Sequence, residues 1–293
     1  MSQLGKAAQA KPRLLLRCRD RWLDLSTPRV MGVLNVTPDS FSDGGQFFDC
    51  RRALSQAEQM LVNGADLIDV GGESTRPGAA PVPAEQEITR VVPVVKALVQ
   101  MGAIVSVDTS KAEVMRAALD EGAHLINDVY ALRRPGALEV LASSEAAVCL
   151  MHMQGEPVSM QTAPEYTDVV LDVVEFLQTR ISACTAHGLP MARILVDPGF
   201  GFGKTPAHNL RLLRELPQLG ALGVPILAGL SRKSLLGVLT GRSVEQRLAG
   251  SLALAYAALE GGARIIRAHD VAETTDVLKV WSSLQKSGET GRS

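Results

Sequence analysis

The stretch NGADLID at residues 63–69 joins the end of a helical pattern to the start of a strand pattern. Its glycine suits the position just past a helix, where left-handed backbone ends the helix. The aliphatic residues that follow are typical of a short buried strand. The same junction recurs as MGAIVSV at 101–107, EGAHLIN at 121–127 and GGARIIR at 261–267. A chain that repeats one helix-to-strand junction alternates the two elements, as parallel α/β folds do.

Eight short apolar runs alternate with helical patterns along the chain, at 30–36, 66–72, 103–109, 124–129, 146–152, 193–199, 225–230 and 264–270. No linker-like stretch divides them. The pattern predicts a single-domain parallel (β/α)8 TIM barrel over residues 28–284. Residues 1–27 form an N-terminal extension, and the polar composition of 285–293 predicts a disordered tail. The alternative is an open doubly wound sheet, but the glycine fingerprint expected after its first strand is missing.

The composition excludes several classes of protein. The formal net charge of −1 gives no electrostatic reason to expect nucleic acid or an anionic membrane as a partner. The four cysteines have no C-x-x-C spacing, so we expect free thiols. The N-terminal apolar run of three leucines is far shorter than the roughly 7–15 residues of a secretory signal. We therefore expect a cytoplasmic protein.

The stretch DPGFGFGKT at 197–205 looks like a phosphate-binding loop but matches neither common motif. A P-loop needs glycine where Pro198 stands, and proline has no N–H to offer a phosphate. The dinucleotide fingerprint needs a third glycine where Lys204 stands. We interpret Lys204 as a solvated charge beside the following helix, and Asp197, at the end of a strand, as the functional residue.

Polar residues stand at the carboxyl end of every predicted strand, where a barrel of this kind has its active site. In chain order they are Asn35, Asp69 with Glu73, Asp108, Asn127 with Asp128, His152, Asp197, Ser231-Arg232-Lys233, and Arg267 with His269. A single such residue is most simply a helix cap or a buried hydrogen-bonding group. A full ring of them indicates a binding site, because buried polar groups are unfavourable unless they are paired or used.

These strand-end residues fall into two groups according to their charge. Asp108, Asn127 and Asp197 suit a flat heterocycle with adjacent N–H donors and carbonyl acceptors. The last two strand ends supply an anion site at the loops where this fold usually binds phosphate, with Ser231, Lys233, Arg267 and His269. The residues thus predict a substrate with a hydrogen-bonding ring at one end and phosphate at the other. Two long loops, 37–45 and 73–83, are candidate binding loops.

Eight motifs in order resemble those of the bacterial dihydropteroate synthases, the pterin-binding enzymes of folate synthesis that sulfonamides target. They are MGVLNVTPDSFSDGG (31–45), GADLIDVGGESTRPGA (64–79), SVDTSKAEV (106–114), INDV (126–129), LMHMQGEP (150–157), ILVDPGFGFGKT (194–205), AGLSRKSLLG (228–237) and RAHDV (267–271). The resemblance runs from about residue 28 to about residue 281.

The resemblance implies a reaction. p-Aminobenzoate attacks the methylene carbon of 6-hydroxymethyl-7,8-dihydropterin diphosphate after pyrophosphate departs, giving 7,8-dihydropteroate. It also implies Mg²⁺ as cofactor and a homodimer. Phe41 and Pro77 match the sulfonamide-sensitive form of the loops.

The resemblance also implies residue roles. Asn35 contributes to the Mg²⁺ site. The pterin is held by Asp108, Asn127, Asp197, Lys233 and Met151. The leaving group is held by Thr75, Arg267 and His269, and Asp43 orders the first loop over the cation. The aminobenzoate is framed by Ser231, Phe202, Phe41, Arg76 and Pro77. The residues with catalytic roles are thus Lys233, Arg267, His269 and Asp43.

Two alternatives remain open on the sequence. A methyltetrahydrofolate methyltransferase would share the pterin-holding residues but would not need the anion site or the two loops. A non-catalytic pterin-binding paralogue would be expected to lose loop or anion-site residues, and all of them are present. Tyr130 departs from the small residue usual in the family, and we expect it to alter packing only.

Overall fold

The structure of the protein is a computed structural model, and it describes residues 14–37, 45–74, 81–156, 160, 162 and 164–290. The strands are β1 (Leu15–Cys18), β2 (Arg21–Asp24), β3 (Arg29–Asn35), β4 (Leu67–Gly71), β5 (Val105–Asp108), β6 (Leu125–Asp128), β7 (Ala147–Met151), β8 (Ile194–Asp197), β9 (Leu227–Ala228) and β10 (Ile265–Ala268). The helices are α1 (Gly45–Val62), α2 (Ala84–Gln100), α3 (Ala112–Asp120), α4 (Ala137–Ala142), α5 (Val169–Ala186), α6 (Pro206–Arg214), α7 (Ser234–Thr240), α8 (Leu248–Glu260) and α9 (Val271–Thr290).

The last eight strands form one parallel sheet in the order β8-β7-β6-β5-β4-β3-β10-β9. A bridge between Val196 and Ile226 joins its two edges, and Val196 N donates to Pro225 O at 2.9 Å. The sheet is therefore closed, and the predicted (β/α)8 barrel is confirmed. None of the described helices combines the length and the apolar character that a membrane span requires.

The repeated glycine junctions behave as predicted. Gly64, Gly102, Gly122 and Gly262 have φ between 81° and 97°, the left-handed region that ends a helix. Each is followed by alanine and then by a barrel strand. The four junctions thus set where β4, β5, β6 and β10 enter the barrel.

Two apolar layers fix the inward direction of the strands. One cluster packs the barrel against the surrounding helices, and a second lies inside the barrel, including Leu67, Leu125, Leu195 and Ile265. Successive side chains of a strand point to opposite faces, so the residue two positions further on also points inward. Those residues are Asp69, Asn127, Asp197 and Arg267. A polar layer therefore lies directly above the apolar one.

The boundaries of the barrel unit differ from the prediction at both ends. The antiparallel hairpin β1–β2 places Leu16, Cys18 and Leu23 in the inner cluster, so residues 14–27 of the predicted extension pack against the barrel. Helix α9 continues to Thr290, past the predicted end at 284, and Gln285 donates to Glu260 at 3.2 Å. The polar composition of the tail is compatible with an exposed helix.

Candidate active site

A buried charge network around Asp69 lies at the centre of the polar layer. The Asp69 side chain is fully buried and accepts three hydrogen bonds. Arg267 Nε donates to Oδ2 at 2.6 Å, Asn127 Nδ2 to the same oxygen at 3.1 Å, and Ser106 Oγ to Oδ1 at 2.6 Å. The network joins β4, β5, β6 and β10, so it fixes the relative positions of four strand ends.

Asp108 extends this network and retains a free acceptor. Its Oδ2 accepts from Arg267 Nη2 at 2.8 Å, but its buried Oδ1 has no hydrogen-bond partner within the described part of the chain. Burial raises the pKa of Asp108 to about 7, although the Arg267 guanidinium opposes the rise. Buried acceptors in native proteins are normally paired. The unpaired oxygen is therefore a position for an N–H group of a ligand.

Asp197 ends β8 on the other side of the layer. Its Oδ1 accepts from Gly199 N at 2.7 Å, and burial raises its pKa. Gly229 faces the remaining oxygen, because a Cβ placed there would lie 3.8 Å from Asp197 Oδ2 and 3.9 Å from Arg267 Cβ. The absence of a side chain at Gly229 leaves room between the carboxylate and the guanidinium.

Lys233 lies beside Asp197, at the start of α7. Its Nζ is 4.1 Å from the centre of the Phe202 ring, within cation–π distance. Withdrawal from water lowers the pKa of Lys233 to about 8, and the negative charge of Asp197 opposes this effect. Lys233 can therefore exist in both charge states near neutral pH.

Ser231 and His269 connect the last two strand ends. His269 donates its backbone N–H to Ser231 Oγ at 3.2 Å, and its Nδ1 lies 3.1 Å from the same oxygen. Arg232, which lies between Ser231 and Lys233 in the chain, forms an ion pair with Asp270. The serine hydroxyl thus holds the imidazole at the rim beside Arg267, next to the predicted anion site.

The predicted metal ligand lies at the same rim. A Cβ added at Gly71 would lie 3.7 Å from Asn35 Oδ1 and 3.9 Å from Asp108 Oδ2, so these two oxygens face a common space. Amide and carboxylate oxygens are ligands that Mg²⁺ accepts. Within the described ranges there is no group of three or more His, Cys, Asp or Glu side chains that could hold a metal. Asn35 and Asp108 could therefore supply only a small part of a magnesium coordination shell, the rest coming from substrate phosphates and water.

An apolar cluster borders the polar layer on the β6 to β8 side. It contains Met151, Val129, Tyr130, Met153 and Met160, with Phe202 packed against them. Tyr130 donates to Glu156, and the Arg134 guanidinium lies 4.2 Å from the centre of its ring. Met151 therefore lies where an apolar face of a bound ring could pack, while the polar end of Tyr130 is held by its own neighbours.

Five predicted site residues lie in the two long loops, outside the described residues. They are Phe41, Asp43, Thr75, Arg76 and Pro77. The structure brings the other ten to one rim or to the cluster beside it: Asn35, Asp108, Asn127, Met151, Asp197, Phe202, Ser231, Lys233, Arg267 and His269.

The sequence interpretation missed two features. It recorded Asp69 only as a strand-end residue, yet this carboxylate bonds Arg267 and Asn127 together. The signal was present, because these three residues end the stretches NGADLID, EGAHLIN and GGARIIR. The interpretation of Lys204 as a solvated charge is wrong, since its side chain is 2% exposed. The turn before Lys204 places the lysine side chain beneath the loop rather than in the solvent.

Comparison with known proteins agrees with this geometry. A family model described as "Pterin binding enzyme" matches residues 31–269. The dihydropteroate synthase of Haemophilus influenzae is 51% identical over 269 residues, covering 92% of this chain and 98% of that protein.

Solved structures show the same likeness. Yersinia pestis dihydropteroate synthase, solved as a sulfonamide drug complex, superposes with a TM-score of 0.89 at 50% identity, covering 93% of this chain and 100% of that one. The Xanthomonas albilineans enzyme in complex with 7,8-dihydropteroate gives a TM-score of 0.85 at 50% identity, covering 92% of this chain and 98% of that one.

A match over most of the barrel, high identity along nearly the whole length of the relatives, and a polar layer suited to a hydrogen-bonding ring point the same way. The chain belongs to the pterin-binding enzyme family, among its dihydropteroate synthases.

Proposed function

We propose that this protein joins 6-hydroxymethyl-7,8-dihydropterin diphosphate to p-aminobenzoate, forming 7,8-dihydropteroate and pyrophosphate. It is a transferase of the pterin-methyl group in folate synthesis. The observation that carries the proposal is the rim itself, where the buried acceptors of Asp108 and Asp197 adjoin the cations of Lys233 and Arg267. The relative solved with dihydropteroate supports the same reaction.

The pterin ring fits the acceptor side of the rim. Carboxylates accept from the N–H groups of the ring, and the free Oδ1 of Asp108 is one such acceptor. Asn127 both donates and accepts, and its amide is held in place by Asp69. Lys233 donates to the acceptor edge of the ring, and Met151 packs against its face.

The diphosphate fits the cationic side. Two of the five N–H groups of Arg267 bond Asp69 and Asp108, which leaves the others able to donate to phosphate oxygens. His269, held by Ser231, reaches the same group. Thr75 and Asp43 lie in the two loops, which we propose to approach the diphosphate. The donors Arg267, His269 and Thr75 stabilise the negative charge that develops on the leaving group, while Asp43 orders the first loop over the cation.

The reaction begins at the bond between the methylene carbon and the diphosphate oxygen. This bond breaks first, its electron pair leaves with pyrophosphate, and the cation that remains is delocalised into the pterin. The amine nitrogen of aminobenzoate then forms the new C–N bond and releases one proton. Phe202 and Ser231 frame the aminobenzoate, with Phe41, Arg76 and Pro77 from the loops.

Asn35 is the residue proposed to hold magnesium at this rim. When bound, Mg²⁺ supplies charge neutralisation for the departing diphosphate. The oxygens of Asn35 and Asp108 face a common space, which supports this assignment. Chelation of divalent ions is expected to reduce turnover and to weaken binding of the diphosphate more than binding of a phosphate-free pterin.

We also propose that the protein is a homodimer. A mostly apolar groove between α8 and α9 is lined by Leu252, Tyr256, Val277 and Val280, together with the acidic Glu273 and Asp276. Val280 is 57% exposed, and Leu284, a nearby apolar residue of the last helix, is 52% exposed. An exposed apolar face of this kind favours association with another protein surface.

The proposed function is tested by product analysis. The protein is incubated with the pterin diphosphate and p-aminobenzoate in the presence of Mg²⁺, and 7,8-dihydropteroate is identified by mass. We expect the product only when both substrates are present. Binding of the pterin diphosphate without any product would instead identify a non-catalytic pterin-binding protein.

A further inference from the structure

Lys204 is a buried lysine that the mechanism above does not use. Its Nζ lies 2.9 Å from Gly199 O, 3.1 Å from Phe202 O and 2.9 Å from His152 Nδ1. Its side chain is 2% exposed, so these contacts replace nearly all of its hydration. Burying a lysine is unfavourable unless its charge is compensated, so these contacts must offset the loss of hydration.

A fourth and longer contact joins Nζ to His152 O at 3.5 Å, so the three N–H donors of an ammonium group all have acceptors within reach. Burial lowers the pKa of Lys204 to about 7, and the negative charge of Asp197 opposes this effect. When Lys204 is charged, His152 Nδ1 accepts from it and is the unprotonated nitrogen of a neutral imidazole. Burial and the charge of Lys204 both lower the pKa of His152, to about 2, in agreement with this assignment. The ring is also held on its other side by an edge contact with Phe176 at 4.9 Å.

The contacts of Lys204 join two loops at the carboxyl end of the barrel. Gly199 and Phe202 belong to the turn after β8, and His152 directly follows β7. The turn is pressed tightly onto the β7 side, since a Cβ at Gly199 would lie 1.9 Å from His152 O and one at Gly203 would lie 2.3 Å from Gln154 O. The two glycines thus let the turn approach the protein's own backbone closely.

We propose that Lys204 is a positioning residue for p-aminobenzoate: its side-chain nitrogen holds the 199–203 turn against the β7 loop and thereby fixes the Phe202 ring beside Lys233. The inference rests on the proposed function. Lys204 does not contact the substrate itself, because its N–H groups are bonded to acceptors of the protein. It acts through the Phe202 carbonyl, which it binds directly, and through the ring of the same residue, which lies 4.1 Å from Lys233 Nζ.

The test compares Lys204→Met with a matched control, Lys96→Met. Methionine keeps the length of the side chain but has no donor. Lys96 is an exposed lysine, paired with Glu121 at 3.1 Å and remote in its contacts from the barrel rim. In steady-state assays we expect Lys204→Met to raise KM for p-aminobenzoate by about ten- to a hundredfold. KM for the pterin diphosphate and both constants of the control should stay unchanged.

A double-mutant cycle with Phe202→Leu separates positioning from general support of the fold. If Lys204 acts through Phe202, adding Lys204→Met to Phe202→Leu should produce little further rise in KM for p-aminobenzoate. Additive effects, equal rises in both KM values, or no rise at all would overturn the inference. Lys204→Gln, which keeps two N–H donors on a shorter side chain, takes the place of the methionine variant if that variant does not fold. Wild-type protein that forms no dihydropteroate would instead overturn the proposed function, and this inference with it.

Discussion

A carboxylate as deeply buried as Asp69 is stable only when its neighbours compensate its charge. Arg267 supplies the compensating charge, and Asn127 and Ser106 satisfy the remaining lone pairs. In return, the carboxylate orients the guanidinium and the amide that we assign to substrate binding. Asp69 therefore contributes to the site by holding Arg267 and Asn127 in position.

Asp69→Asn is expected to weaken both stability and activity. The neutral amide keeps the shape of the side chain but gives up the charged hydrogen bond to Arg267, which should reduce the free energy of unfolding by about 2 kcal/mol. We expect kcat/KM to fall by at least about tenfold. Urea unfolding and steady-state kinetics measure the two effects. The control is Asp120→Asn, an exposed residue at the end of α3, and equal behaviour of the two variants would contradict the assignment.

The pH dependence of pterin binding follows from two shifted pKa values. Asp108, with its pKa raised to about 7, must lose its proton to accept N–H groups, so binding strengthens as pH rises through 7. Lys233, with its pKa lowered to about 8, must keep its proton to donate, so binding weakens above 8. Affinity for a phosphate-free dihydropterin should therefore be greatest between these values. Calorimetric titration that gives a flat profile from pH 6 to pH 9 would contradict these roles.

The turn after β8 shows what a short element can add to a barrel. Gly199, Gly201 and Gly203 all have φ between 58° and 79°, and Thr205 then caps α6 by accepting from His208 N at 3.1 Å. The sequence GFGFGKT thus encodes a left-handed turn, a buried lysine and a helix start, in that order. The stretch does not serve as a nucleotide-binding loop, because Lys204 and Thr205 already have hydrogen-bond partners in the protein.

Gly199→Ala is expected to be strongly destabilising. Its φ is +70°, and an added Cβ would lie 1.9 Å from His152 O, so the turn would have to separate from the β7 loop. The left-handed backbone alone costs about 1–2 kcal/mol for a residue with a side chain, and the collision adds to it. Gly220→Ala is the control, since nothing lies within 4 Å of its added Cβ. Chemical denaturation should separate the two variants, and equal midpoints would contradict the described packing.

The order of the elements was predictable from sequence because a polar residue stands at the end of each strand and four of the helix-to-strand junctions repeat one pattern. That reasoning placed Asp108, Asn127, Asp197 and Arg267 at one rim, since the carboxyl ends of parallel strands meet there. It could not show which groups bond each other, because Asp69 and Arg267 are far apart in the chain and meet only after the barrel closes. Nor could it show the burial of Lys204, which depends on how the turn folds over it.

The closed barrel, its terminal hairpin and its long final helix form one unit. The hairpin β1–β2 contributes to the inner cluster, while the opposite, carboxyl end bears the polar layer. One end of the barrel is therefore built for packing and the other for binding. The apolar groove between α8 and α9 lies on the outside of this unit, where we propose that a second copy of the chain binds.

Val280→Glu is expected to convert the proposed dimer to monomer. Val280 lines the groove and is 57% exposed, so a charge there would be buried in the dimer but would not disturb the single chain. Sedimentation velocity should give a single smaller species. Leu171→Glu is the matched control, because Leu171 is 60% exposed on α5. Wild-type protein that sediments as a monomer would contradict the proposed dimer.

The central claim is that the rim of this barrel joins a pterin diphosphate to an aromatic amine. The most direct test measures pyrophosphate and 7,8-dihydropteroate together, in one reaction with Mg²⁺, for the wild type and for Arg267→Met. We predict equal amounts of the two products, a requirement for p-aminobenzoate to obtain dihydropteroate, and a large loss of both products in the variant. Wild-type protein that binds the pterin diphosphate but forms neither product would contradict the claim.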